Sequence, residues 1–187
     1  MIAHAFGQLA RVPGVIAARV GITLARMHVR EVSANRGRWI NAMAEINGHD
    51  DEAAGAWCAH FAWFCWQVAA LVVGCRVVSR TSGSVVSSWH KATDAERVEG
   101  TPRPGDIALR VRAASDLAGV LAGGWAYGHA MIVVRVHADG AIDIVHGNTD
   151  GSGGAEGDGV YYERRAYRMD DPRLIGFIRP TLERVTG

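Results

Sequence analysis

Residues 55–73 read GAWCAHFAWFCWQVAALVV, and the part from Trp57 to Val73 is the most apolar stretch of the chain. Its length approaches that of a membrane-spanning helix, but it contains the polar side chains His60 and Gln67 and follows an acidic run. We therefore predict that this stretch is a buried helix and that the chain does not insert into a membrane.

The chain on either side of this stretch also has helical patterns. Residues 15–32 have apolar side chains at helical spacing. Asn35 is predicted to cap a short second helix, and residues 82–84 are predicted to cap another after the apolar stretch. The apolar side chains of these helices are Ile16, Val20, Leu24 and Met27 on one stripe of the first, Trp39, Ile40 and Met43 in the second, and Val85, Val86 and Trp89 in the last.

Beyond residue 105 the apolar runs become short, rich in branched residues and separated by glycine or Asp-Gly, which is typical of strands. The predicted strands are Asp106 to Val111, His129 to Val136, Ala141 to His146, Val160 to Arg164 and Leu174 to Ile178. Ala138-Asp139-Gly140 predicts a hairpin between the second and third of them. Residues 112–125 and 151–154 are predicted loops. The pattern predicts an α+β fold, with N-terminal helices packed on one side of a C-terminal antiparallel sheet.

Length and charge limit the classes of protein to consider. A chain of 187 residues is long enough for one ordinary core, so we predict one domain over residues 1–187. Its formal net charge of +1 gives no reason to expect binding to nucleic acid or to an anionic membrane. Three cysteines are an odd number, so a disulfide-stapled scaffold is not expected. The first residues show no ordinary secretion signal.

Cys58 stands in the first turn of the predicted apolar helix, after a loop that contains Gly55. A helix N-terminus lowers the pKa of a thiol, because its unpaired backbone N–H groups and the helix dipole favour the thiolate. The same N–H groups can stabilise an oxyanion. The position indicates a nucleophile, and the alternative is that Cys58 is a small core residue, as free cysteines often are.

A base for this thiol is offered by His129, which follows Gly128 at the start of an apolar strand. The predicted hairpin places the end of the next strand, with His146 and Asn148, beside it. Either side chain could orient the imidazole ring, although Asn148 could instead be a turn residue. We expect His146 to have this role, because Gly147 should break the strand and leave Asn148 in a loop.

At this point the chain resembles the CHAP amidohydrolase/peptidases and their NlpC-type relatives, over approximately Val15 to Pro180. The motifs that carry the resemblance are Asn35-Arg36-Gly37, Gly55-Ala56-Trp57-Cys58-Ala59-His60-Phe61, Pro102-Arg103-Pro104-Gly105-Asp106-Ile107, Gly128-His129-Ala130-Met131-Ile132-Val133, His146-Gly147-Asn148-Thr149 and Ile175-Gly176-Phe177-Ile178-Arg179-Pro180. The resemblance implies a papain-like α+β fold and an enzyme that cuts amide bonds in peptidoglycan peptides.

The sequence departs from the CHAP pattern at His146, where CHAP members usually carry an acidic residue and NlpC-type enzymes commonly use a second histidine. Cys58, His129 and His146 therefore look like an NlpC-type triad in a CHAP-like sequence, with Asn148 as a helper or substitute. The bond cut is then either the amide between muramic acid and the first alanine or a peptide bond within the stem or cross-bridge. Trp57, beside the nucleophile, could line the substrate groove.

Other ligands and functions are weighed against this interpretation. A calcium site at residues 49–52 lacks the alternating acidic ladder of a calcium loop, so a solvated loop is expected. Zinc binding by Cys58, Cys65, His60 and His129 has no supporting ligand spacing, and we expect no metal and no cofactor. Cys65 and Cys75 are predicted core residues.

Two other functional classes remain open at the level of sequence. One is a non-catalytic structural or wall-binding module of a phage tail or secretion apparatus. The other is an enzyme with a different acyl substrate on the same fold, such as an acyltransferase or a deamidase. If the chain is a wall hydrolase, the expected partner is the peptidoglycan stem peptide and the place of action is the cell wall. Without a visible signal, delivery by a phage particle, by an injection system or at lysis is expected.

Overall fold

A computed structural model describes residues 12–48, 56–150 and 157–185. In chain order its elements are α1 (Pro13–Arg26), α2 (Arg38–Ile46), α3 (Cys58–Val72), β1 (Cys75–Val77), α4 (Val85–Lys91), β2 (Ile107–Val111), a 3-10 turn (Ala114–Asp116), α5 (Leu117–Leu121), β3 (Gly128–Val136), β4 (Ala141–Thr149), β5 (Gly159–Arg168), β6 (Leu174–Ile178) and β7 (Leu182–Arg184).

The main sheet has five strands in the order β5-β4-β3-β2-β6, and each neighbouring pair is antiparallel. Side chains alternate between its two faces. On one face Ile107, Ile132 and Val145 join the core that contains the helices, whereas Met131 and Ile144 belong to a second apolar cluster. The predicted α+β arrangement, with helices packed on one side of an antiparallel sheet, is confirmed.

Helix α3 lies at the centre of this arrangement. It begins and ends within one residue of the predicted bounds, and it is buried on nearly all sides, as expected for a helix that is apolar all round. Its neighbours are α1, α2 and strands β1, β3 and β4. Within the described ranges, no helix is both long and apolar enough to cross a membrane.

Helix α1 is shorter than predicted, and one residue of its predicted apolar stripe is exposed. It ends at Arg26, because His28 has a backbone φ of 52° that a helix cannot continue through. Leu24 is buried, and Ile16 and Val20 pack against the core, whereas Met27 is 53% exposed. The other buried positions of the helix are glycines and alanines. The reason is close packing, since a Cβ added at Gly21 would lie 2.6 Å from a methyl group of Val145. After the helix the chain is extended, and Val160 of β5 donates its N–H to the carbonyl of Val29.

The predicted helix caps have different outcomes. Asn35 does not cap α2, because it lies in a turn with a φ of 55° and the helix begins after Gly37. Ser84 does cap α4, where its hydroxyl oxygen accepts a hydrogen bond of 3.2 Å from the N–H of Ser87.

The predicted β3–β4 hairpin is present, with Ile132 opposite Val145. Strands β4 and β5 are longer than predicted, because they continue to pair with each other beyond the apolar runs. The segment 112–125 is not a plain loop, since it contains the 3-10 turn and α5. A small sheet of β1 and β7 was not predicted. It leaves Cys75 half-buried rather than in the core.

Candidate active site

Cys58 is the first residue of α3, and its side chain is 2% exposed. Backbone groups of Ala130, Cys58 and Ala59 lie close enough to the thiol to favour the thiolate. Burial has the larger effect, however, and it raises the pKa of the Cys58 thiol above the ordinary value of 9.0. The expectation of a lowered pKa at this helix N-terminus is therefore wrong, because the thiol is almost completely covered.

His129 is 1% exposed at the start of β3. The backbone of the next residue, Ala130, lies within hydrogen-bonding reach of the Cys58 thiol. The start of β3 therefore lies against the start of α3. Burial lowers the pKa of the His129 imidazole well below 6.5, and the positive charges of Arg110 and Arg112 add to this effect, as does His146. Within the described residues, Nδ1 of His129 has no hydrogen-bond partner. Cys58 and His129 are thus not hydrogen-bonded to each other at rest.

The other ring nitrogen of His129 is held by His146, with 2.8 Å between Nε2 of His129 and Nδ1 of His146. The two rings meet edge to face, and His146 is completely buried. On its far side, Nε2 of His146 lies 2.8 Å from Oε1 of Glu163, on β5. Three side chains from three adjacent strands therefore form one hydrogen-bonded row that leads to the ring of His129.

Asn148 is placed differently from the prediction. Strand β4 does not break at Gly147 but continues to Thr149, which pairs with Gly159 of β5. Asn148 is 1% exposed and has a φ of 60°, at an irregularity in the β4–β5 pairing. Its Oδ1 has no hydrogen-bond partner among the described residues. The side chain that bonds His129 is that of His146.

Trp57 does not line a groove, because it is 1% exposed. Its indole Nε1 donates a hydrogen bond of 2.7 Å to Oε1 of Glu31. Its ring packs so closely under β4 that a Cβ added at Gly147 would overlap it, and that Cβ would also lie 3.0 Å from Phe61. Trp57 therefore supports the first turn of α3 from within the core.

A cleft of about 370 Å³ opens at Cys58. Its lining consists of Ala56, Cys58, His60, Ser82, Gly83, Ser84, Val85, Trp125, Ala126, Tyr127 and Gly128. Trp125 and Tyr127 are 64% and 63% exposed, and their rings meet edge to face with centroids 4.7 Å apart. The guanidinium of Arg112 lies 5.3 Å from the centroid of the Tyr127 ring. The aromatic wall of the cleft is thus this pair, which sequence reasoning missed because both residues lie in the irregular segment between α5 and β3, where no periodic pattern indicates what a side chain contacts.

The sequence offered candidate ligands for calcium and for zinc. Residues 49–52, the calcium candidates, lie outside the described residues. In the described ranges, no group of three or more His, Cys, Asp or Glu side chains could hold a metal ion. The three cysteines are free thiols, and the predicted core residue Cys65 is buried.

Comparison with known proteins gives one family. Neither the curated proteins nor the solved structures gave a significant match. The model of the CHAP domain family matches residues 48–148, which is more than half of the 187 residues. The matched segment runs from Gly48, after α2, to Asn148 in β4, and so contains Cys58, His129 and His146. This chain therefore belongs to the CHAP domain family, a family of peptidoglycan hydrolases and amidases.

Proposed function

We propose that this protein cleaves an amide bond of peptidoglycan peptide through a thioester on Cys58, as an amidase or an endopeptidase. The proposal rests on the different surroundings of the two ring nitrogens of His129. Its Nε2 is held by His146 and its Nδ1 is buried without a partner among the described residues, while the backbone of the next residue, Ala130, lies near the Cys58 thiol. An imidazole nitrogen that keeps its lone pair free is the group that a thiol needs to accept its proton.

Burial decides how the reaction would start. It raises the pKa of the Cys58 thiol and lowers that of the His129 imidazole, and both shifts favour the neutral form of each group before the reaction. In the proposed first step, Nδ1 of His129 takes the thiol proton while Sγ attacks the amide carbonyl carbon. The developing oxyanion accepts a hydrogen bond from the backbone N–H of Cys58 at the helix N-terminus.

The tetrahedral species then collapses to a thioester. His129 gives its proton to the nitrogen of the leaving amine, and the C–N bond breaks. In the second half, His129 removes a proton from a water molecule that attacks the thioester carbonyl. The C–S bond breaks, the thiolate takes the proton back from His129, and a carboxylic acid is released.

The cleft supports the choice of a polymeric substrate over a small molecule. It is open, and Cys58 lies in its lining together with the exposed rings of Trp125 and Tyr127. Aromatic side chains that remain exposed beside a nucleophile offer apolar faces for a peptide backbone or a sugar ring. We propose that this pair contacts the wall peptide or the adjoining sugar.

Digestion of purified peptidoglycan, followed by mass spectrometry of the new ends, tests the proposed function. New free lactyl groups on muramic acid would identify an amidase, and new amines within the stem or cross-bridge would identify an endopeptidase. Absence of any new end would contradict the proposal.

The Cys58→Ala variant should lose this cleavage while keeping the fold, because it removes the nucleophile and leaves only a small cavity. The matched control is Cys65→Ala, in the same helix and equally buried, which should retain activity. For both variants, circular dichroism checks the fold, and the rate of peptidoglycan cleavage checks the activity. Wild-type turnover by Cys58→Ala would show that the nucleophile is another group.

A further inference from the structure

Glu163 lies outside the segment that the family model matches, yet its carboxylate ends the hydrogen-bonded row in the site. It stands on β5, opposite Ile144 of β4, and so on the same face of the sheet as His146. Its side chain is 18% exposed, and the His146 ring that it contacts is fully buried. The carboxylate therefore connects the rim of the sheet to the interior of the site.

We propose that Glu163 is a positioning residue, which selects the tautomers of His146 and His129 so that Nδ1 of His129 carries the lone pair. A carboxylate only accepts hydrogen bonds, so Nε2 of His146 must donate to Glu163. A neutral His146 then has its lone pair on Nδ1, which accepts the Nε2–H of His129. The neutral ring of His129 is left with its lone pair on Nδ1, the nitrogen without a partner.

Without Glu163, the direction of the hydrogen bond between His146 and His129 can reverse. His146 could place its hydrogen on Nδ1 and donate to Nε2 of His129. His129 would then carry its hydrogen on Nδ1, where it could not accept the thiol proton. The wrong tautomer of a catalytic histidine is costly even when the ring keeps its position.

Glu163 also supplies a negative charge behind two imidazoles. The positive charges that act on His129 are those of Arg110 and Arg112. The guanidinium of Arg110 also lies 4.6 Å from the centroid of the Tyr167 ring. Both arginines disfavour a second positive charge on His129. The carboxylate opposes them, so it should stabilise the imidazolium that forms when His129 takes the proton.

The role in catalysis rests on the proposed function, but the tautomers can be measured without any substrate. We suggest comparing wild type with Glu163→Ala, which removes the acceptor, and Glu163→Gln, which keeps an acceptor oxygen without the charge. The matched control is Asp143→Asn. Asp143 forms a second histidine–carboxylate pair on the same sheet, with 2.7 Å between its Oδ1 and Nε2 of His137, and it takes no part in the row.

Three measurements apply to each variant. Nitrogen-15 NMR of the imidazoles reports the tautomers. Alkylation of Cys58 by iodoacetamide is measured as a function of pH, by quantifying the modified peptide. The pH dependence of this rate reports the protonation of the base, His129. Hydrolysis of purified peptidoglycan reports catalysis.

For Glu163→Ala we expect His129 to change from the Nε2–H to the Nδ1–H tautomer. Peptidoglycan cleavage should fall about 10- to 100-fold, as it does when a metal-bound histidine loses the partner that orients it. Glu163→Gln should keep the wild-type tautomers. It should move the acidic limb of the alkylation profile to lower pH, because loss of a negative charge lowers the pKa of the base. Asp143→Asn should change neither tautomers nor profile.

The outcomes separate the two proposals. Wild-type tautomers and an unchanged alkylation profile in Glu163→Ala would overturn the positioning role, whatever happens to wall cleavage. If Glu163→Ala does not fold, an unshifted profile in Glu163→Gln would overturn it instead. Altered tautomers and alkylation in a protein that never cleaves peptidoglycan would keep the positioning role and refute the proposed function.

Discussion

The buried, neutral His129 predicts how the stability of this protein depends on pH. Burial lowers the pKa of His129 well below 6.5 in the folded state, whereas the unfolded chain exposes the ring and restores the ordinary value. Below pH 6.5 the unfolded state therefore binds a proton that the folded state does not. The free energy of unfolding must then fall as the pH falls, and it must recover fully above the unfolded-state pKa.

The size of this effect follows from the unfolded-state pKa alone. If His129 stays neutral in the folded state down to pH 5, protonation of the unfolded chain costs about 2 kcal/mol of stability between pH 7.5 and pH 5. Buried carboxylates contribute little in this window. For example, the burial of Asp143 is outweighed by hydrogen bonds from His137 and Arg165, which hold its pKa below 3.8.

Urea unfolding at pH 7.5, 6.5, 5.5 and 5.0 measures this dependence. The His129→Gln variant should lose about 2 kcal/mol less than wild type on going from pH 7.5 to pH 5. The control is His28→Asn, at an exposed position with a φ of 52° that asparagine accepts, and it should keep the wild-type slope. Equal slopes for wild type and His129→Gln would refute the inference that His129 is neutral in the folded protein.

Three further predictions concern the site. His146→Ala should lower the rate of wall cleavage by about tenfold or more, and Asn148→Ala should lower it less; rates in the opposite order would transfer the orienting role to Asn148. Gly147→Ala should lower the free energy of unfolding by about 1–3 kcal/mol in denaturant titrations, because the added methyl group overlaps Trp57, and an unchanged midpoint would contradict that packing. Trp125→Ala should raise KM more than it lowers kcat, because the ring is exposed in the cleft, and a pure loss of kcat would argue for a different role.

Local patterns in the sequence determined much of this fold. The apolar run from Trp57 onward could only be a buried helix, because no face of it is polar, and α3 begins at Cys58 as expected. The Asp-Gly pair at residues 139–140 determined the β3–β4 hairpin, since glycine adopts the φ of 81° found at that turn. These signals involve neighbouring residues, so they can be interpreted without knowledge of distant contacts.

The properties of the site depend on contacts between residues far apart in the sequence. The position of Cys58 at a helix N-terminus predicted a lowered thiol pKa, but packing against β3 buried it and reversed the direction. Trp57 looked suited to a groove, and the close approach of Gly147 covers it, while Trp125 is exposed instead. The burial of a side chain is decided by what packs against it, which a local pattern does not contain.

Glu163 is the clearest example of a residue whose role depends on contacts between distant segments. In the sequence it is one charged residue in a strand, 17 positions from His146 and outside every motif that indicated the family. Its contact with His146 depends on the register of β4 and β5, and two irregularities in their pairing set that register. The sequence by itself determined the helix with its thiol, the hairpin with its histidines and thereby the family. Only the tertiary structure decided which groups are buried and which carboxylate completes the row, because both depend on register and packing between distant segments.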